Sequence, residues 1–207
     1  MNDSAKSQTQ QWIERYEAVA WPTFGRRRIA LSHGQGTKVW DVEGKEYLDF
    51  LEGIAVTNLG HSHPAIVDAI KDQADKLLHC TNLYYIPPQI EWAELLSKYS
   101  FGGKVFFSNC GAEANEAMIK LARKYAAANF PEGRRTIITC HGSFHGRTLA
   151  TLTATGQDKG KQGFAPLMPG FRHADYNDVE SIKAAVTDDV MAVMVEPVIG
   201  EGGVIPA

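Results

Sequence analysis

The stretch FFSNCGAEANEAMIKLARKY, Phe106–Tyr125, decides how the chain is read. An apolar run breaks at Ser108-Asn109-Cys110-Gly111-Ala112 and passes at once into helical spacing. The pattern predicts a strand over Lys104–Ser108, a tight bend at Gly111, and a helix over about 112–129. The apolar face of that helix reads as Ala114, Ala117, Met118, Leu121, Ala122 and Tyr125. The first N–H groups of a helix lack intrahelical acceptors and lie at the positive end of its dipole, so small side chains there let an anion such as phosphate approach. The junction is equally compatible with a plainer reading, in which Ser108 or Asn109 caps the helix and Gly111 only turns the chain. It has the spacing of neither a Walker loop nor GxGxxG.

Outward from this junction, strands and helices alternate. Strands are predicted over Thr136–Cys140 and Met191–Glu196, with a helix over 178–186. Earlier, Ile66, Ala69, Ile70, Ala74, Leu77 and Leu78 recur at helical spacing, and a second helix runs over Pro88–Ser97. This alternation implies an α/β layer architecture with parallel pairing. The segment IALSHGQGTKVWDVEGKEYLDF, Ile29–Phe50, instead alternates apolar and polar positions around two glycine turns, the pattern of a small antiparallel meander. Residues 1–20 read as a terminal helix or arm. The expected organisation is an arm and small β-rich lobe over 1–60, then an α/β domain over 61–207.

The segment CHGSFHGRTLATLTATG, Cys140–Gly156, follows the Thr136–Cys140 strand and so falls where open α/β sheets hold ligands. Phe144 suits stacking on a planar ring, Gly146 supplies flexibility, and Arg147 suits a bidentate grip on a carboxylate. His141 and His145 flank them. Taken one at a time, each has a structural alternative: a core aromatic, a solvated cation, a hydrogen-bonding imidazole. Beside a phosphate cradle, the group reads as a site for a phosphorylated planar cofactor and an acid substrate.

Composition narrows the partners. In 207 residues there are 21 Lys+Arg against 24 Asp+Glu, a net charge of −3 with the cations scattered, which disfavours nucleic acid. No apolar run approaches membrane-spanning length, and the polar start MNDSAKSQTQQW lacks the apolar core of a signal peptide, so a cytoplasmic location is expected. Cys80, Cys110 and Cys140 lie far apart without CxxC pairing and read as buried free thiols, not a disulfide framework or metal site.

Five blocks carry a family resemblance: VWDVEGKEYLDFLEGIAVTNLGHSHPAI, NLYY, FFSNCGAEANEAMIKLARKYA, SFHGRT and VMVEPVIGEGG. From about Phe24 onward the chain resembles the N-terminal half of the class III, ornithine-type aminotransferases, and most closely their acetylornithine-using branch. The resemblance implies the pyridoxal-phosphate-dependent transferase type I fold, present as a small-lobe segment plus the first part of a large-domain, mostly parallel sheet. It implies pyridoxal 5′-phosphate as cofactor, with Gly111 and Ala112 on the phosphate and Phe144 on the pyridine ring. Arg147 would hold the substrate carboxylate remote from the reacting amine, and Glu201 would pair with an arginine that changes partner between half-reactions. The implied substrates are N-acetylornithine and 2-oxoglutarate, giving glutamate, in a homodimer. Ile54 stands where ornithine-specific relatives carry a bulky aromatic, which favours the acetylated donor. Ornithine, succinylornithine, 4-aminobutyrate and acetyl-lysine stay open as donors, and Ile54 also fits as plain packing. Cys110 and Ile199 depart from the family's usual serine and glutamine. No residue here is assigned the catalytic role, because the family's cofactor-bearing lysine and its pyridine-pairing aspartate are expected beyond Ala207. A 207-residue product is therefore expected to be catalytically incompetent; the reading opposed to it is a non-catalytic binding or assembly module.

Overall fold

A computed structural model describes residues 6–207, and the chain divides into two compact units, the second beginning at Pro87. The first opens with the helix Gln8–Val19, started by the Ser7 hydroxyl accepting from Gln10 N at 3.2 Å. This is the expected terminal helix; residues 1–5 of that expectation lie outside the described residues. Thr9 ties the helix to the meander by donating from its backbone N–H, at 2.7 Å, and from its hydroxyl to the Glu43 carboxylate. The meander is antiparallel in chain order: β1 (Leu31–Gln35), β2 (Lys38–Asp41) and β3 (Glu46–Leu48). Asp41 is buried here because its carboxylate accepts from the N–H groups of Glu43 and Lys45 and from the Tyr47 hydroxyl. After β3 the backbone turns left-handed at Glu52, Gly53, Ile54 and Ala55, with φ of 51°, 63°, 60° and 61°.

The helix that follows is Pro64–Ala74, shorter than its apolar pattern. Beyond Asp75 the bonding tapers, with Lys76 N and Leu77 N both donating to Gln73 O, so Leu77 and Leu78 lie past the helix end.

The second unit carries the α/β layers. Helices Pro87–Tyr99 and Gly111–Asn129 precede a parallel sheet of order β5-β4-β6, with β4 at Thr136–Cys140, β5 at Phe171–Ala174 and β6 at Val190–Val193. Central β4 is buried from Ile137 to Cys140, and its side chains alternate between the two faces. Ile137 packs with Ile119 of Gly111–Asn129 and Ala150 of the short helix Leu149–Ala154. Ile138 packs with Ala174 and Val190, covered by Ile182 and Ala185 of the helix Val179–Ala185. A small antiparallel pair, β7 (Val198–Ile199) with β8 (Ile205–Pro206), ends the chain.

Several expectations are corrected. Lys104–Ser108 is not a strand: its backbone enters no ladder among the described residues, and Phe106 is exposed. β6 starts one residue early and stops at Val193 rather than Glu196: its pairing with β4 ends at Ile138, with Met194 N donating to Ile138 O as the last bond. The buried side of Gly111–Asn129 is Ile119, Ala122 and Ala126, whereas Met118, Leu121 and Tyr125 of the expected face are exposed. That helix has two apolar stripes, and the sheet takes the one with Ile119. Of the three free cysteines only Cys140 is buried; Cys110 is exposed and Cys80 half-buried. Among the described residues, no helix is long and apolar enough to cross a membrane.

One knot fastens all three parallel strands at their starts. Asp189 O accepts from the N–H groups of Arg135 and Thr136 at 2.8 and 2.9 Å, its carboxylate accepts from the hydroxyls of Thr136 and Thr187, and Arg172 of β5 lies 3.3 Å from Oδ2. Those hydroxyls, with the Arg172 charge behind them, lower the Asp189 pKa from its ordinary 3.8 to about 2. A depressed carboxylate pKa adds stability that is present above the unfolded value and lost as pH falls through the folded one. Asp189→Ala is therefore expected to lower the thermal midpoint at pH 7, and the gap to the parent protein should close between about pH 4 and pH 2. Melting curves across that range check it; a gap that stays constant with pH would mean the carboxylate charge contributes nothing.

Candidate active site

The helix Gly111–Asn129 begins without a side-chain cap. Cys110, at the cap position, is extended (φ −160°, ψ 170°) and its thiol makes no capping bond. Ala114 N is the first to bond back, to Cys110 O at 3.1 Å, which leaves the N–H groups of Gly111, Ala112 and Glu113 with no protein acceptor among the described residues. Neither expected cap serves: Ser108 donates its hydroxyl to Cys110 O, and Asn109 donates N–H and side-chain amide to Glu113 Oε2, both at 2.8 Å. Glu113 thereby folds its charge back onto the preceding loop. A Cβ built on Gly111 meets nothing within 4 Å, so the mouth of the helix is open.

The loop 141–148 is seated against this mouth. Gly146, at φ 127°, lies so near Ala112 that a Cβ there would stand 2.8 Å from Ala112 Cβ and 2.7 Å from Thr151 Oγ1. Asn115 fixes the approach by donating from Nδ2 to His145 O at 2.7 Å, and the Thr148 hydroxyl donates to Glu116. The two loops thus pack against each other within this unit.

Phe144 is half-buried, and the Arg147 guanidinium stands 5.8 Å from its ring centroid. The Phe144 N–H donates to Glu196 Oε2 at 3.0 Å. Burial raises the Glu196 pKa, Glu201 nearby adds to this, and the Phe144 N–H opposes it. Glu201 itself is exposed and accepts from Gln157 Nε2, which also lies 3.3 Å from Gly142 O and Ser143 O. Gly202 closes the approach: a Cβ on it would stand 2.6 Å from Gly142 O. Ile199, the departure from glutamine, is a buried packing residue there.

His145 is 3% exposed, its Nε2 has no hydrogen-bond partner among the described residues, and burial first and His173 second lower its pKa from 6.5 to about 4. It is neutral at pH 7 and supplies no cation to an anion site. The positive features are the helix terminus and Arg147, on either side of Phe144 in the chain. Uncapped N–H donors, an empty position at Gly111 and an aromatic residue on the loop packed against Ala112 fit a phosphorylated planar cofactor.

Sequence reading did not assign Asn115, Gln157 and Glu196, although Glu196 lies inside the quoted VMVEPVIGEGG block. The helix Leu149–Ala154 was also unassigned, and its signal is the Thr148–Thr151 spacing, where each side chain bonds the other's backbone as a capping box.

The family profile described as Aminotransferase class-III matches residues 23–207. The acetylornithine aminotransferase of Caldanaerobacter subterraneus subsp. tengcongensis is 57% identical over 182 residues, covering 88% of this chain and 46% of the relative. That of Methanocaldococcus jannaschii is 47% identical over 195 residues, covering 94% and 49%. The ornithine aminotransferase structure from Toxoplasma gondii ME49 superposes with a TM-score of 0.90 at 29% identity, over 98% of this chain and 48% of that one. The N-acetylornithine aminotransferase structure from Stenotrophomonas maltophilia K279a gives 0.76 at 40% identity, over 94% and 47%. The chain thus spans about half the length of the relatives it matches, and over that span it has the type I fold of pyridoxal-phosphate-dependent transferases. The seated loops, the open helix terminus and this continuous match have one reading: the chain belongs to the class III aminotransferase family.

Proposed function

We propose that this chain is the N-terminal part of a pyridoxal-phosphate-dependent aminotransferase that moves the δ-amino group of N-acetylornithine to 2-oxoglutarate. One observation carries the reading: Gly146 seated on Ala112, which sets an aromatic and a guanidinium beside a helix terminus with unused N–H donors. The N–H groups of Gly111 and Ala112 hold the cofactor phosphate, aided by the dipole of a 19-residue helix. Phe144 lies against the pyridine ring and excludes water from that face. Pyridoxal phosphate, when bound, supplies the electron sink that makes the substrate C–H acidic. Arg147 grips the carboxylate remote from the reacting amine. Glu201, kept in place by Gln157, offers a carboxylate to an arginine outside this chain when no substrate carboxylate occupies it.

The acetylated donor rests on Ile54, an aliphatic exposed on its turn, and on the names of the relatives. The same reading places the protein in the cytoplasm, as a homodimer in arginine biosynthesis. It takes 1–60 as arm and small lobe and 61–207 as the first part of the cofactor-binding domain.

Arg147→Ala in the complete enzyme should leave the bound-cofactor absorbance intact. It should weaken transition-state binding of carboxylate substrates by about 2–4 kcal/mol, read as kcat/KM. An unchanged kcat/KM removes Arg147 from the site. Gly111→Leu tests the cradle from the other side, since the new side chain meets no protein atom near its Cβ. Folding should persist while affinity for pyridoxal 5′-phosphate drops at least about ten-fold, or ~1.4 kcal/mol, in a fluorescence titration. Retained affinity would place the phosphate elsewhere. The donor is decided by comparing specificity constants: N-acetylornithine is expected to exceed ornithine, and the reverse order overturns the assignment.

A further inference from the structure

Four consecutive residues with positive φ, Glu52 to Ala55, are unusual because three of them carry a Cβ. In a left-handed turn the Cβ of an L-residue crowds the following carbonyl, which is why such turns normally hold glycine. Only Gly53 escapes that penalty. The turn closes on itself through Ile54 N to Leu51 O at 2.7 Å and Val56 N to Glu52 O at 2.9 Å. Packing within this chain does not hold it: Leu51, Ile54 and Val56 are exposed by 69%, 82% and 77%. What holds a strained, unpacked turn must be polar.

Asp49 is that group. Its Oδ1 accepts from Leu51 N at 2.8 Å and Glu52 N at 3.1 Å, the two N–H groups that lead into the turn. Its own N–H is anchored to Thr37 O at 2.8 Å. Its other oxygen, Oδ2, stands 2.6 Å from His61 Nε2. His61 is in turn fixed by two backbone bonds to Gly36, at 2.9 and 2.8 Å, and by a ring lying over Gly34, where a Cβ would come within 2.6 Å of His61 Cγ. A rigid sheet edge therefore holds an imidazole, the imidazole holds a carboxylate, and the carboxylate holds the entry to the strained turn. Strain kept in place by dedicated partners marks functional segments.

We propose that Asp49 is a positioning residue: by clamping the left-handed turn Glu52–Ala55 it fixes where Ile54 stands, and so sets discrimination between acylated and free amine donors. The proposal rests on the donor-side reading of Ile54 given above. Asp49 acts through the turn and touches no substrate.

The test uses the complete holoenzyme, with amide hydrogen exchange of residues 51–57 measured alongside specificity constants for N-acetylornithine and ornithine. For Asp49→Ala, exchange should speed up by at least about ten-fold, the loss of two charge-assisted bonds. The preference for N-acetylornithine should fall by a similar factor, mainly through KM, with bound-cofactor absorbance unchanged. Asp49→Asn keeps an acceptor for both N–H groups but loses the charge and the oxygen that faces His61, so protection and preference should lie between those of the parent and the alanine variant; if it protects no better than alanine, the clamp is overturned. Unchanged exchange in Asp49→Ala overturns it too, as does faster exchange with an unchanged preference. Ile54→Tyr separates the underlying reading: an unaltered donor preference there sinks the specificity role, while the exchange result still reports the clamp. If Asp49→Ala does not fold, Ala55→Gly serves instead. It relieves one left-handed residue and should raise the thermal midpoint by about 2–4 °C; a lower midpoint means the turn is not strained, and the proposal fails.

Discussion

The candidate site depends on the missing side chain of Gly146. With any Cβ there, the loop 141–148 would have to retreat from Ala112 and from the Thr151 hydroxyl, and the helix mouth would lose its wall. Everything chemical on that loop is placed by this approach. Phe144 and Arg147 flank the pair His145-Gly146, and the Asn115 amide donates to the His145 carbonyl. The Gly146 backbone meets Cα and Cβ of Ala112, atoms fixed by the helix backbone, and the Thr151 hydroxyl, which Thr148 N holds at 3.0 Å, so the contact is stiff enough to carry a ring and a cation.

The same arrangement sorts charge along the site. A helix terminus contributes positive potential from N–H dipoles that cannot titrate, and Glu113 turns its carboxylate away by bonding Asn109. His145, buried between the two loops' anchoring bonds, stays neutral because desolvation makes its cationic form costly. The one formal cation on the loop, Arg147, therefore remains distinct from the phosphate cradle. On the far side of Phe144, Glu196 takes the ring-bearing residue's N–H, and Gln157 keeps Glu201 against Gly142 and Ser143. In the proposed reading, the phosphate-binding and carboxylate-binding roles fall to different elements, the helix terminus and Arg147, with Phe144 carried on the same loop as Arg147.

Much of this was legible in the sequence wherever one residue type served one purpose. β4 was read to the residue, because TIITC is apolar, β-branched and bounded by turn signals. Gly111, Phe144 and Arg147 stand out only in combination, because each alone has a structural alternative. The strand Phe171–Ala174 was missed because half of it is Arg172 and His173, whose polar character is explained only by partners distant in sequence. Lys104–Ser108 was read as a strand on composition, yet a strand exists only where a ladder partner does. The helix Gly111–Asn129 is as expected, and Ala122 of the expected face does pack on the sheet, but the face is rotated toward Ile119 and Ala126, which the apolar pattern does not single out. Small residues let helix and sheet approach, and the larger apolar side chains on the other stripe stay exposed in this chain.

The left-handed turn shows the limit of pattern reading most plainly. EGIA contains a single glycine, and nothing in composition marks Glu52, Ile54 and Ala55 as residues with positive φ. The information lies three residues upstream and six or more downstream, in Asp49 and His61, and it takes effect only when the meander has formed and Gly34 has made room for the imidazole. Local propensity opposes the conformation, and tertiary hydrogen bonds impose it. A position where the fold overrides propensity at a cost, with polar partners committed to that end, is where geometry has been selected over stability. The turn Glu52–Ala55 is such a place: it holds an aliphatic side chain in a conformation that glycine alone would favour, with Asp49 and His61 committed to keeping it there.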